Sequence, residues 1–418
     1  MYLPPYWKSL RVKWLGQLKG GAGFPHDEQG LSNEDIPFFK VKDIAYADSQ
    51  NWMTITENTV SRSTAKKLGA NIFPRGTIVF AKVGAALLLN RFRLLGQDSC
   101  IDNNMIGFVV DTSYIQLRFI LHALSTLNFA EIANPGAVPS LNEEQIGNLC
   151  LSIPPLDTQR RIADYLDAET AQIDALIAEK ERMLALLTEK RAALVSRAVT
   201  RGLDPAVPLK SSGLEWLGDI PVHWEVKRAK QLFTIRDERS ESGDEELLSV
   251  SHITGVTPRA EKEVFMFKAE SMIGYKLCLP GDLAVNTLWA WMGAMGVATQ
   301  PGIVSPDYHV YVSKGELLPA FVEVLCRSKP FIAEVVRYSK GVWSSRLRLY
   351  PEAFFDIRFP VPPQNEQQVI VSSLARERTR TSELETDLYS SLSLLKERRS
   401  ALITAAVTGQ LERAVMAA

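Results

Sequence analysis

Two stretches of the chain place an apolar residue at every seventh position. The first runs through Leu166, Ile173, Leu187 and Leu194, with Lys180 filling the place between. The second runs through Leu374, Leu388, Leu395 and Leu402, with Thr381 in the corresponding gap. Positions three or four residues further on add Leu176, Ile177, Met183 and Leu184, then Leu384 and Leu392, while Glu179, Glu181, Lys190, Glu397 and Arg398 occupy much of the remainder. A sevenfold apolar period with charged residues between is the pattern of a coiled-coil seam. Asp157 and Asn365, just beyond paired prolines, suit the N-cap position, and Gly202 and Gly409 suit the helix stop. Each helix is then roughly 43 residues, or roughly 64 Å at 1.5 Å per residue.

The two seams share one register. Leu141, Ile153, Pro154, Pro155, Gln159, Ile162, Leu166, Leu194, Ala198, Val199, Thr200 and Leu203 recur in kind, 208 positions on and without a gap, at Leu349, Val361, Pro362, Pro363, Gln367, Ile370, Leu374, Leu402, Ala406, Val407, Thr408 and Leu411. Upstream, "PPYWKSLR" echoes "IPVHWEVKR" at an offset of 217, with Trp7 opposite Trp224 and Arg11 opposite Arg228. The segments between barely resemble each other. The chain therefore alternates variable block, constant helix, variable block, constant helix. Its expected boundaries are 1–155 and 204–363 for the blocks, 156–203 and 364–418 for the helices. Because the first helix stops shortly before the second block, and that block ends where the second helix begins, helices packed along their seams must run antiparallel. That arrangement is expected to hold the blocks at opposite ends of the helical pair.

Within the first block, "IPFFKVKDI" and "GTIVFAKVGAALLL" read as strands and "YIQLRFILHALST" as an amphipathic helix. The second block repeats that order with "ELLSVSHIT", the glycine-containing strand pair "PGDLAVNTLWAWMGAMGVAT" and the helix "LLPAFVEVLCRSKPFIAEVV". The fold class is α+β: two unlike domains separated by a long antiparallel two-helix coiled coil, in a pseudo-twofold tandem repeat.

Composition adds exclusions. With 46% hydrophobic and 23% charged residues among 418, the chain reads as globular, and its apolar runs fall short of a membrane span. The opening lacks the features of a signal peptide, and the four cysteines avoid C-x-x-C spacing, as expected of cytoplasmic thiols. No phosphate-binding loop, dinucleotide fingerprint or methyltransferase motif occurs. "SPDYHVYVSK" has Val312 where a nuclease needs an acid, and the five histidines lack metal-ligand spacing. No catalytic residue, cofactor or metal site is expected on this chain. A formal net charge of −1 provides no global attraction to nucleic acid, so any DNA binding must rest on local patches or a basic partner.

Such patches gather around presumed strand ends. The first block offers Lys82, Arg91, Arg93, Gln97, Asn103 and Asn104. The second offers Asn286, Trp289 and Trp291, then Asp307, Tyr308 and His309, and finally Lys340, Trp343, Ser344, Ser345, Arg346 and Arg348. Arginine, asparagine and serine on loops reach base edges and phosphates, whereas tryptophans more often fill cores. Two other classes compete with DNA recognition: a bivalent protein-binding coiled-coil scaffold, and a single-chain enzyme with unrecognised motifs.

The segments "IPPLDTQRRIADYLD" and "VPPQNEQQVIVSSL", the helix endings "KRAALVSRAVTRGL" and "ERRSALITAAVTGQL", and "SGLEWLGDIPVHWEVKR" resemble the specificity subunits of type I restriction–modification systems over nearly the whole chain. Two departures are an abbreviated opening and Thr158, which stands where the second copy has Glu366. The resemblance implies a non-catalytic cytoplasmic subunit that binds double-stranded DNA at a bipartite, asymmetric site, one half-site per block. It also implies two methyltransferase subunits using S-adenosylmethionine, and motor-nuclease subunits using ATP and Mg.

Overall fold

The computed structural model describes residues 4–134, 136–261, 271–341 and 347–411. The chain divides into two units, one formed by 1–181 with 389–418, the other by 182–388. Each unit therefore holds one variable block and half of each long helix. Those helices run from Leu156 to Arg201 and from Gln364 to Val407, 46 and 44 residues. Their first residues are Leu156 and Gln364, so Asp157 and Asn365 lie in the first turn rather than at the cap. Both end on a glycine in the left-handed region, Gly202 at φ +73° and Gly409 at φ +76°.

The sevenfold register survives in the burial. Leu166, Ile173 and Thr381 are buried, and Lys180, Leu187, Leu194, Leu374, Leu388, Leu395 and Leu402 are half-buried. The secondary positions need correction. Leu176, Met183 and Leu384 are exposed, while Ile177, Leu184 and Leu392 turn inward. Packing selects the four-residue step over the three-residue step, as a d-to-a interval of a heptad requires.

Charged pairs join the two helices inside each unit. In unit 1, Asp174 accepts from Arg399 at 2.8 Å and Glu181 pairs with Lys396 at 3.3 Å, one number rising as the other falls. In unit 2, Lys190 meets Glu377 at 3.0 Å and Arg191 meets Glu385 at 3.7 Å. Each helix thus places its pairing acids ahead of its pairing bases: Asp174 and Glu181 before Lys190 and Arg191, Glu377 and Glu385 before Lys396 and Arg399. Helices laid in the same sense would set acid on acid and base on base. Individually such exposed pairs contribute little, but together they exclude the parallel alternative.

In unit 1, strands Gly16–Gly20, Met105–Val110, Ile78–Ala81, Arg93–Leu95 and Trp52–Met53 form a five-stranded sheet in that order, beside a three-stranded sheet containing Ile36–Phe39. In unit 2, Phe233–Arg236, His309–Ser313, Leu283–Val285 and Met295–Val297 form a four-stranded sheet. Three sequence expectations change here. Residues 76–89 do not form one strand: the strand stops at Ala81, and Ala85–Leu88 is a helical turn. The strand from Ile36 likewise ends at Phe39, ahead of a 3-10 stretch. The helix expected in 317–336 is two helices, Pro319–Cys326 and Lys329–Tyr338, the second with a proline at its start.

The repeated sequence builds the same frame twice. Lys8–Arg11 pairs antiparallel with Cys150–Ile153, and Glu225–Arg228 pairs with Arg358–Val361. In unit 1, buried Gln159 donates to Pro154 O and Tyr114 O and accepts from Gln116 N–H, the cap of helix Leu117–Ser125. In unit 2, buried Gln367 donates to Pro362 O and Glu316 O and accepts from Leu318 N–H, the cap of helix Pro319–Cys326. One glutamine therefore satisfies three main-chain groups where a proline hinge leads into a long helix, and fixes the block's own helix to that joint. Opposite the joint, Gly409 packs against Pro4 and Trp7 in unit 1, and Gly202 against Trp224 and Glu366 in unit 2. Glu366 accepts from the Trp224 indole at 3.0 Å and bonds His223 at 2.7 Å, contacts that Thr158 cannot reproduce.

Candidate nucleic-acid interface

In unit 1 the loops of interest leave one end of the five-stranded sheet. Lys82 follows strand Ile78–Ala81, and its N–H donates to Asn104 O at 2.9 Å, so Lys82 stands beside the exposed turn Asn103–Asn104. Arg91 is exposed ahead of strand Arg93–Leu95. Arg93 is half-buried and engaged: it donates to Ile44 O at 3.1 Å and to Asn51 Oδ1 at 2.8 Å, and burial lowers its pKa, with Arg91 and Arg399 adding to the effect. Its role is to tie a loop to the sheet, not to project.

Sequence reasoning missed a second element of this face. Asn134 and Ser140 pair as bridge residues, Ser140 also bridges Val83, and Gly84 N–H donates to Pro139 O at 2.8 Å. Leu141 N–H then donates to Lys82 O at 2.9 Å. Unit 2 repeats the arrangement. Lys340 and Arg348 exchange two main-chain hydrogen bonds of 2.9 Å, and Leu349 N–H donates to Thr287 O at 3.1 Å. Leu141 and Leu349 are partners in the repeat, so the same latch joins a bridged residue pair, Asn134–Ser140 or Lys340–Arg348, to a strand-exit loop in each unit. That register was the available signal for the 134–140 hairpin.

Unit 2 brings together most of its sequence-selected residues around Thr287, itself unselected. Its hydroxyl donates to Asp307 O, and its carbonyl holds Leu349. The segments 286–291 and 305–309 and the residue after Arg348 thereby meet at Thr287. Asn286 is buried and donates to Tyr308 Oη at 2.9 Å while accepting from Leu288 N–H, so it braces the loops and is not open to a base. Trp289 is half-exposed and stacks near-parallel to Trp291, ring centroids 6.4 Å apart; the Trp291 indole donates to Leu288 O. Tyr308 and His309 are partly buried; burial raises the tyrosine pKa and, with Lys276, lowers that of the histidine. Buried Lys276 donates to Tyr308 O at 2.8 Å, and burial lowers its pKa. Lys340 and Arg348 are exposed, whereas Trp343, Ser344, Ser345 and Arg346 lie outside the described residues. Among the described residues, no cluster of histidine, cysteine or carboxylates could hold a metal ion, and no helix is long and apolar enough to cross a membrane.

Each unit therefore offers exposed cations, amides or an indole on loops that a repeated hydrogen-bonded frame holds in place. Such a surface can bind phosphates and base edges. Comparison with known proteins agrees. The family model for the type I restriction modification DNA specificity domain matches residues 4–184. A chain from a structure on complex assembly and conformational transition of the type I R-M system superposes with TM-score 0.71 at 14% identity, covering 98% of this chain and 100% of that one. The HsdS subunit of Thermoanaerobacter tengcongensis gives TM-score 0.52 at 15% identity, covering 98% and 99%. Residues 4–184 thus match the type I restriction modification DNA specificity domain, and the chain as a whole shares its fold with these two structures.

Proposed function

We propose that each unit reads one half of a bipartite, asymmetric DNA sequence, and that the two long helices set the number of unread base pairs between the halves. The observation carrying this reading is the duplicated frame: identical glutamine joints, strand pairs and hairpin latches support loops of unlike sequence. Duplicated support with divergent tips suits two different half-sites read by one mode of docking. Methyl transfer from S-adenosylmethionine is assigned to two methyltransferase subunits, and ATP- and Mg-dependent translocation and cleavage to motor-nuclease subunits, in the cytoplasm. With a net charge of −1, the chain leaves much of the phosphate neutralisation to those partners.

The test replaces residues 224–360 with the block of another specificity subunit and maps methylated positions in the host genome. One half-site changes and the other stays. A change in both halves refutes independent reading. Inserting seven residues at matched places in both helices lengthens the spacer alone; an unaltered spacer refutes the role given to the helices. A bivalent protein scaffold would retain no DNA in a salt-sensitive, sequence-dependent manner when assembled with its partner.

A further inference from the structure

The loop after strand Ile78–Ala81 contains three successive leucines with opposite fates. Leu87 is buried in the unit 1 core, which also holds Phe92 and Phe129, whereas Leu88 and Leu89 are 44% and 56% exposed. Val138, at the tip of the hairpin latched to this loop, is 59% exposed. Scattered exposed leucines need no explanation, but these sit on a loop held from both sides. Gly84, in the left-handed region at φ +78°, donates its N–H to Pro139 O. Asn90, also left-handed at φ +48°, donates its side-chain amide to Leu127 O at 2.6 Å and accepts from Phe129 N–H at 3.3 Å. Leu87 plugs the core between these fixed points. The loop therefore cannot fold Leu88 and Leu89 away from water, and presents them in a set geometry.

Their neighbours on the same face are polar and cationic: Lys82, Arg91 and the Asn103–Asn104 turn. Cations around a small rigid apolar tip match duplex DNA, where phosphates border a groove whose distinctive apolar feature is the C5-methyl of thymine. We propose that Leu88 and Leu89, with Val138 beside them, form a thymine-methyl reader for the half-site of the first block, flanked by phosphate contacts from Lys82 and Arg91. The inference rests on the specificity-subunit reading above and assigns it a chemistry. Preorganisation matters because ordering a free loop would cancel the small gain from one methyl group.

The test uses the full chain assembled with its methyltransferase partner, on a duplex carrying the mapped recognition site. Each thymine is replaced in turn by deoxyuridine, which lacks only the methyl. At least one replacement weakens binding by about fourfold, the worth of one methyl removed from water. Leu88→Ala or Leu89→Ala weakens binding to the thymine duplex by a similar factor and removes the response to that replacement, with base changes in the other half-site reading as before. Both side chains are exposed, so thermal denaturation of the variants should match the parent. Variants that bind like the parent overturn the proposal. So does weakening that leaves the deoxyuridine response intact, the mark of an intercalating wedge or a protein contact. A complex that selects no sequence at all refutes the specificity-subunit reading itself.

Discussion

Replacing Gln159 by leucine probes the joint on which the first unit depends. The side chain is 1% exposed and satisfies three main-chain groups: Pro154 O at 2.9 Å, Tyr114 O at 3.1 Å and Gln116 N–H at 2.8 Å. Leucine fills similar space and leaves all three without that partner. An unsatisfied buried polar group costs about 1–3 kcal/mol. The bond to Pro154 O is fully buried and the other two are partly buried, so about 3 kcal/mol in total is reasonable once water reaches the outer pair. Because Gln116 caps helix Leu117–Ser125, the loss should concentrate there. Hydrogen exchange read by segment is the suitable assay, since a chain of two units need not unfold in one step. Amides of 117–125 should exchange about a hundredfold faster, the equivalent of about 3 kcal/mol, while the helices at 319–338 keep their protection. Gln367→Leu should produce the mirror result at 319–326. A loss under about 1 kcal/mol in both variants, or loss spread evenly over both units, would refute the argument that these glutamines act as local joints.

Three further outcomes follow from the geometry. Burial would raise Asp167, but hydrogen bonds and charge from His122 and Arg118 hold its pKa at about 2; a depressed carboxylate stabilises above its unfolded pKa of about 3.9 and loses that contribution as pH falls toward 2. Asp167→Asn should thus lower stability at neutral pH by at most about 2 kcal/mol and flatten the acid limb between pH 4 and 2, measured by denaturant titration across pH. Reversing Arg399 to glutamate should lower the melting temperature by no more than a few degrees, and adding Asp174→Arg should restore it at low salt and not at high salt. Thr287→Val should relax selectivity at one half-site in methylation mapping while Thr287→Ser preserves it, because the hydroxyl holds the Asp307 segment and the main-chain latch remains in both.

The long helices were legible because a seven-residue period in one register leaves little freedom: ten seam positions were named and none is exposed. Leu176, Met183 and Leu384 failed because steps of three and four look alike in sequence, and only the facing helix decides between them. The strand from Gly76 was read too far because Ala85–Leu89 is as apolar as a strand, and its short helical turn depends on Leu87 entering the core. The site was less accessible. Arg93 and Asn286 carry the right chemistry, yet local hydrogen bonding consumes it. Thr287 and the 134–140 hairpin have no periodicity to betray them, and their importance lies in main-chain bonds between segments distant in sequence.

That last point has a wider meaning. The bonds Leu141 N–H to Lys82 O and Leu349 N–H to Thr287 O join peptide groups, which nearly any residue can supply. A substitution in the neighbouring tips alters what they touch without unfastening them, provided proline stays out of positions 141 and 349. The tips can therefore change by small steps on an undisturbed mount, in either unit separately.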